Sequence, residues 1–478
     1  MKIKRLFEFR YILFITLSAC SVGPDYTYEK FFEDDEIQQS IKLNKIENDS
    51  EKYSFSLYDF NDISLNKLMD EVQENSSTIK IAILKLKQAR ESLRIAFKNN
   101  LPAFDFTGKY NFINENKNAN DMMGVDYYQT GFDASWELDI FGGGRRKTES
   151  AKAQYNAMLY NLKNTNVSLV SEVAVNYINL RNIEQQLLNA KENLSMQEQA
   201  YNLIKDQYKF SLTDEITLSQ SKYLLETTKM SIPKLEYQKS MYENALAILV
   251  GKLPEGINDI LNETEFNIIN QAINLNLDSL YNLPVSVIRN RPDVKIAEEN
   301  IISKNAEIGV AISKLYPSVS LSSFFGFQSL KWSNLIDNDS WVNSFIPLVN
   351  LPIFHWNQLN NNVNIQKYLK EEALLSYKKV LLNAVAEVKN SINAIEKGYQ
   401  IGLASTKAYE NMKLVSELNW KKYKLGLISY NDVLDAEQRK ISAQADMVNA
   451  NANLYLSLIN FYKSIGGKPL KEVENAKK

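Results

Sequence analysis

Asp432 and Asp435 are the residues whose type and spacing invite a chemical reading. They lie three apart in YKLGLISYNDVLDAE, residues 423–437, where a long helical pattern breaks at a glycine and restarts. A spacing of three puts both carboxylates on one face of a helix. Ser429 precedes Asp432 by three, the spacing of a capping box, and an acid in a first helical turn favours the helix dipole. An acidic face and a helix start are both open readings of the pair. Tyr423, at the head of the stretch, falls on the heptad register of the preceding helix and reads as a core residue.

Other chemistries find little support. The chain has one His, His355, and one Cys, Cys20. A Cys/His metal site or a Ser-His-Asp triad would have to be built on His355, and nothing around it supports one, so neither a catalytic nor a metal site is expected. A single Cys allows no internal disulfide. Gly142-Gly143-Gly144-Arg145-Arg146-Lys147 lacks the spacing of a phosphate loop. Its glycines suit a sharp strand-to-helix change. Its cations either face lipid phosphates or are solvated. A net charge of -2 gives no footprint for nucleic acid.

The first residues read as an address. Lys2, Lys4, Arg5 and Arg10 precede a short apolar stretch at 11–17 and then Ser18-Ala19-Cys20. A basic start, an apolar centre and small residues before a cut describe a secretory signal over 1–19. Leu17-Ser18-Ala19-Cys20 resembles a bacterial lipobox, in which the Cys20 thiol takes a diacylglycerol and becomes the new N-terminus. Ser21, by resemblance to sorting rules, favours the outer membrane. A lipidated, polar, irregular segment is expected over 20–62, wrapping the outside of the protein.

The elements that must position the acidic pair come in two copies. Tyr208 and Tyr423 are 215 positions apart, and the offset recurs. NSSTIKIA at 75–82 matches NRPDVKIA at 290–297. Pro102 matches Pro317, and Gly251 matches Gly466. The offset slips to 213 only between Ile140-Phe141 and Ile353-Phe354. The repeats are expected over 63–251 and 284–468, with a linker over 252–283 and a polar tail over 469–478. With 16 Gly and 10 Pro in 478 residues, long uninterrupted helices are favoured. No apolar run is long enough for a membrane-spanning helix.

Each repeat opens with a helix, at about 65–99 and 285–314. The period then changes to two. Phe104, Phe106, Tyr110 and Phe112, then Tyr128, Thr130, Phe132, Ala134, Trp136 and Leu138, predict a hairpin at about 102–140 with one apolar face. Val319, Leu321, Phe325 and Phe327, then Phe345, Val349, Leu351 and Ile353, predict a second at about 317–354. Strands of about 10 residues suit a tilted membrane crossing. Four strands leave two edges, and edges cannot face lipid, so a membrane reading demands several copies of the chain.

A heptad-patterned helix follows each hairpin. Val173, Leu180, Leu187, Leu194, Tyr201 and Tyr208 mark the first. Leu374, Leu381, Val388, Ile395, Gly402, Tyr409, Ser416 and Tyr423 mark the second. A sustained seven-residue repeat means coiled-coil packing. About 64 residues reach roughly 95 Å. Turns are expected at Ser211-Leu212 and Gly426-Leu427, with return helices ending near 250 and 465.

Cys20-Ser21-Val22-Gly23-Pro24-Asp25-Tyr26 resembles the start of the lipoprotein branch of the TolC-like outer membrane efflux proteins. Asn290-Arg291-Pro292-Asp293-Val294, Ala297-Glu298, Ile308-Gly309, Ala311 and Tyr316-Pro317 closely resemble a signature of that family. So do Tyr423, Gly426 and Asp432-Val433-Leu434-Asp435-Ala436. The resemblance covers about 62–469. It implies a mainly α chain with a small β part: a long coiled-coil helical barrel plus four membrane strands. As a homotrimer the strands would form a 12-stranded β-barrel in the outer membrane of a Gram-negative bacterium, with the helices in the periplasm. The implied function is the exit duct of a tripartite efflux system for drugs or other small toxic compounds. The implied partners are a periplasmic adaptor, an inner-membrane pump of the resistance-nodulation-division kind and outer-membrane lipid, with no cofactor beyond the lipid at Cys20. Asp432, Asp435 and Tyr423 match the family's channel gate, and Arg291, Pro292 and Asp293 its motif. Ile428 stands where some members carry a gate Arg, and Thr217 where the first half may carry an Asp, so the family's latch bonds do not transfer. A type I protein-secretion duct and a lipid-anchored periplasmic coiled-coil scaffold are the alternatives.

Overall fold

The computed structural model describes residues 21–43, 55–112, 126–263 and 280–467. The signal segment at 1–19, Cys20, the middle of the linker and the tail at 469–478 lie outside the described residues.

A short α1 (Asp34–Ile41) precedes the first repeat. That repeat runs α2 (Ile63–Asn75), α3 (Ser77–Lys98), β1 (Ala103–Asn111), β2 (Tyr127–Leu138), α4 (Gly143–Lys209) and α5 (Glu215–Val250). After a single turn, α6 (Asn258–Leu261), the order recurs. The second repeat runs α7 (Val285–Arg289), α8 (Pro292–Ser313), β3 (Ser318–Ser329), β4 (Trp341–Asn350), α9 (Trp356–Lys424) and α10 (Tyr430–Ser464). No described helix is long and apolar enough to cross a membrane. The chain divides into two compact units, one of 1–30, 84–160 and 295–379, the other of 31–83, 161–294 and 380–478. Each takes pieces of both repeats.

The opening helix of each repeat is two helices rather than one, and the reason differs between repeats. Ser76, between α2 and α3, is extended, and its Oγ accepts from the Thr78 amide at 3.3 Å. Between α7 and α8 the break precedes Pro292, whose ring disfavours helical backbone in the residue before it.

Arg291 turns that break into a junction. It is 6% exposed. Its Nη1 donates to the Ser464 carbonyl at 2.6 Å, one of the unpaired carbonyls at the end of α10. Its Nε and Nη2 reach the two Asp293 oxygens at 3.0 and 2.7 Å, and Nη2 also reaches Glu387 on α9 at 2.7 Å. Burial disfavours the guanidinium charge, but the two carboxylates outweigh it and hold the pKa above its ordinary value. Gly466 packs on Pro292 and Arg291, as Gly251 packs on Asn75 and Ser76, so the two junctions are the same place in the duplicated fold.

In the first unit the strands form one antiparallel sheet in the order β1-β2-β3-β4, so the hairpins join through β2 and β3. The register aligns Phe106, Phe132, Phe325 and Asn343, and next to them Phe104, Ala134, Ser323 and Phe345. Opposed residues project to the same face. One face therefore carries Phe104, Phe106, Tyr110, Phe132, Phe325, Phe345 and Val349, all exposed. The other carries Asp105, Thr107, Lys109, Gln129, Asp133, Ser320 and Ser322. Strands β1 and β4 each leave one edge unpaired within this sheet.

The residues after Cys20 are strapped to this unit. The Val22 amide donates to the Phe141 carbonyl at 3.1 Å. Arg146 donates to the carbonyls of Val22 and Gly23 at 3.2 and 3.3 Å and to Asp25 at 2.6 Å. Asn305 donates to the Pro24 carbonyl at 2.8 Å. Gly23 has φ +95°, and a Cβ there would lie 2.5 Å from the Gly309 Cα, so the strap needs glycine on both sides.

In the second unit the heptad positions Val173, Leu180, Leu381, Val388 and Ile395 are buried, as expected, whereas Leu187, Leu194 and Tyr201 are half-buried and Tyr208 is exposed. Further along α4 the seam becomes polar. Asn189, Asn193 and Gln197 are buried. Asn182 and Gln186 donate to Asn449 at 3.1 and 2.9 Å, and Asn193 to Gln444 at 3.3 Å. Amide pairs at a helix seam select one register, which aliphatic side chains alone do not.

Two substitutions test these supports. Arg291→Met leaves the Ser464 carbonyl and the partly exposed Asp293 and Glu387 without their donor, and should cost about 1–3 kcal/mol, read as an earlier loss of helical circular dichroism on heating. Gly309→Val should lift the strap at a cost of about 1–3 kcal/mol, with new protease cleavage near 21–30 while the sheet stays intact.

Candidate functional site

The acidic pair stands where α9 turns into α10. The Gly426 amide donates to the Tyr423 carbonyl at 2.9 Å and the Leu427 amide to the Lys422 carbonyl at 3.0 Å. Gly426 has φ +71° with open space around it, so glycine is used here for its backbone freedom. Ser211, 215 positions earlier, makes the same turn at φ +56° without that freedom.

Ser429 caps α10. Its amide donates to Asp432 Oδ2 at 3.0 Å, and its Oγ accepts from the Asp432 amide at 3.4 Å. Asp432 thus closes a capping box, the local role its spacing allowed, and remains exposed. Asp435 is also exposed and pairs with Arg439 one turn on, at 2.9 Å. An exposed pair of this kind contributes little to stability. Both aspartates therefore keep carboxylate surface in water.

Tyr423 is the side chain that reaches across. Its hydroxyl donates to Gln207 Oε1 on α4 at 2.9 Å, tying the α9–α10 hairpin to the first repeat's long helix. Burial raises the phenol's pKa, so it stays a neutral donor. Its ring packs edge-on against Tyr430 at 5.6 Å and Trp420 at 6.1 Å. Beneath lie Ile204, Tyr430 and Val433, with Leu218, Ile428 and Leu434 packed around them. Ile428 therefore joins an apolar cluster. The Thr217 amide is taken by Asp214, which caps α5 at 2.8 Å.

A second charged group nearby escaped the sequence reading. Glu437 and Lys440 are 4% and 7% exposed. The Lys440 ammonium donates to Glu437 Oε2 at 2.6 Å, while Glu437 Oε1 accepts from Trp420 Nε1 at 2.9 Å and, very closely, from Ser416 Oγ. The available signal was Ser416, a hydroxyl on the heptad register where an apolar residue belongs. Among the described residues no group of three or more His, Cys, Asp or Glu is placed to hold a metal.

The chain is similar to known proteins along most of its length. It is 26% identical over 465 residues to the cation efflux system protein CusC of Escherichia coli O6:H1, covering 95% of this chain and 96% of that one. It is 24% identical over 414 residues to the probable outer membrane lipoprotein SilC of Salmonella typhimurium, covering 85% and 87%. Its fold matches the Campylobacter jejuni CmeC outer membrane channel with a TM-score of 0.84 at 24% identity, over 96% of this chain and 98% of that one. Residues 68–252 and 283–467, the two stretches that carry the duplicated helices and strands, each match one and the same family, and the chain belongs to it: the outer membrane efflux protein family.

Proposed function

We propose that this chain is the outer-membrane exit duct of a tripartite efflux system, assembled as a homotrimer and anchored by lipid at Cys20. The observation that carries this reading is the four-stranded sheet, with one largely apolar, exposed face and two unpaired edges. In hydrocarbon every backbone amide and carbonyl needs a partner, so such a sheet enters a membrane only as part of a closed barrel. Three copies supply twelve strands. Exposed apolar stripes support the same assembly. Ile216, Tyr223, Met230 and Tyr237 recur every seven residues along α5, and Tyr368, Leu375 and Leu382 do so along α9. Such stripes need a facing helix, which a second copy supplies.

In this reading the α9–α10 turns of three chains converge at the periplasmic entrance. Asp432 and Asp435 form acidic rings that favour cations and repel anions. Tyr423 holds each turn to α4. Residues 63–251 and 284–468 act as the two repeats, and Arg291, Pro292 and Asp293 serve the junction that supports the hairpin rather than the pore. The chain itself catalyses nothing. A periplasmic adaptor and an inner-membrane pump, of the resistance-nodulation-division kind, supply and select the cargo of drugs or other small toxic compounds. SilC's description as a probable outer membrane lipoprotein supports the anchor.

The test is planar-bilayer conductance of the purified oligomer beside an Asp432→Asn, Asp435→Asn double variant, which removes charge while keeping a side-chain oxygen at 432 to accept from the Ser429 amide. A small cation-selective conductance is expected, with selectivity lost or current increased in the variant. A channel indifferent to the change would return the aspartates to helix capping. A well-folded oligomer with no channel would overturn the duct.

A further inference from the structure

The α9–α10 hairpin has to hold two things in fixed relation. Tyr423, on α9, makes the tie to Gln207. Asp432 and Asp435, on α10, present the carboxylates. The apolar contacts between the two limbs are non-directional and resist sliding weakly. The polar contacts are directional: Asn419 of α9 donates to the Asp432 carbonyl at 3.1 Å, and the remaining donors meet on one carboxylate. Glu437 lies two residues after Asp435, about 200° further round the helix, so it faces inward where Asp435 faces out. Lys440 from its own helix takes one oxygen, and Ser416 and Trp420 from α9 take the other.

With α9 seated, a buried carboxylate has all three donors. With α9 released, it keeps only Lys440. Charge-assisted bonds are about twice as strong as neutral ones, so the seated state is favoured while the group stays dry. Trp420 also touches the Tyr423 ring, so the carboxylate reaches the Gln207 tie through one side chain.

We propose that Glu437 is a positioning residue that locks α9 to α10, so that the Tyr423 tie and the Asp432–Asp435 turn move as one body. The inference rests on the reading of that turn as a channel entrance. Two variants test it in the same bilayers. Glu437→Gln removes the charge. Ser416→Ala with Trp420→Phe leaves the Glu437–Lys440 pair intact and removes the bonds from α9 while keeping an aromatic ring beside Tyr423 and Tyr430, and it carries the test should Glu437→Gln fail to assemble. Each should raise the open fraction roughly tenfold, the size expected for losing a hydrogen bond to a charged group. Each should also lower cation selectivity with Asp432 and Asp435 unchanged. Arg291→Met serves as the control for a merely structural role, since it removes a buried guanidinium bonded to the other end of α10. Wild-type conductance in the Ser416→Ala, Trp420→Phe protein would overturn the proposal, and so would an equal rise in Arg291→Met. The Asp432→Asn, Asp435→Asn protein reports separately on the entrance: a response there beside silent Glu437 variants leaves the gate standing and removes the lock.

Discussion

Helices of 67 and 69 residues need a partner surface along their whole length, and the structure turns on how that surface is supplied. Isolated helices gain little from propensity, so packing must hold them. In the second unit Val173, Leu180, Leu381, Val388 and Ile395 provide an ordinary apolar seam. Nearer the turn, Asn193, Gln197, Gln444 and the Glu437–Lys440 pair replace it. Buried ion pairs add little net stability over well-packed apolar residues, but parting one from its donors is costly. The polar part of the seam therefore reads as selection of one arrangement rather than as added strength.

The duplication shows one backbone solved twice with different side chains. Gly251 and Gly466 pack into the same helix break, yet Ser76 fills it with a hydroxyl in the first repeat and Arg291 with a buried guanidinium in the second. Ser211 and Gly426 make the same left-handed turn. Asp214 caps α5 alone, whereas Ser429 caps α10 together with Asp432. The second repeat carries the more elaborate electrostatics at both ends of its return helix. The gate proposed here and the motif Arg291-Pro292-Asp293 both lie in that copy.

The Gly23-Pro24-Asp25 stretch has a physical reason as well. The Gly23 and Gly309 backbones touch, the Pro24 carbonyl is taken by Asn305, and Asp25 pairs with Arg146. Arg146 belongs to the basic cluster whose role composition left between lipid phosphate and solvent. It is buried, and its partners are protein. Arg145 pairs with Asp139 at 3.3 Å.

Periodicity and spacing determined a great deal. The 215-residue repeat, the alternating strands with one apolar face, the heptad helices and the turns at Ser211 and Gly426 follow from short-range patterns, because side-chain period reports directly on local backbone geometry. The helix break at Ser76 was harder to read, since the seat for it is made by Gly251, far along the chain. The pairing of β2 with β3, the anchoring of Arg291 on Ser464 and Glu387, the Tyr423–Gln207 tie and the burial of Glu437 were decided only by tertiary structure. The first three join residues far apart in sequence, and Glu437 meets Ser416 and Trp420 across the α9–α10 turn. A charged residue's sequence neighbours do not reveal whether its partners will exclude water, and that exclusion separates Glu437 from the exposed Asp435 two residues before it.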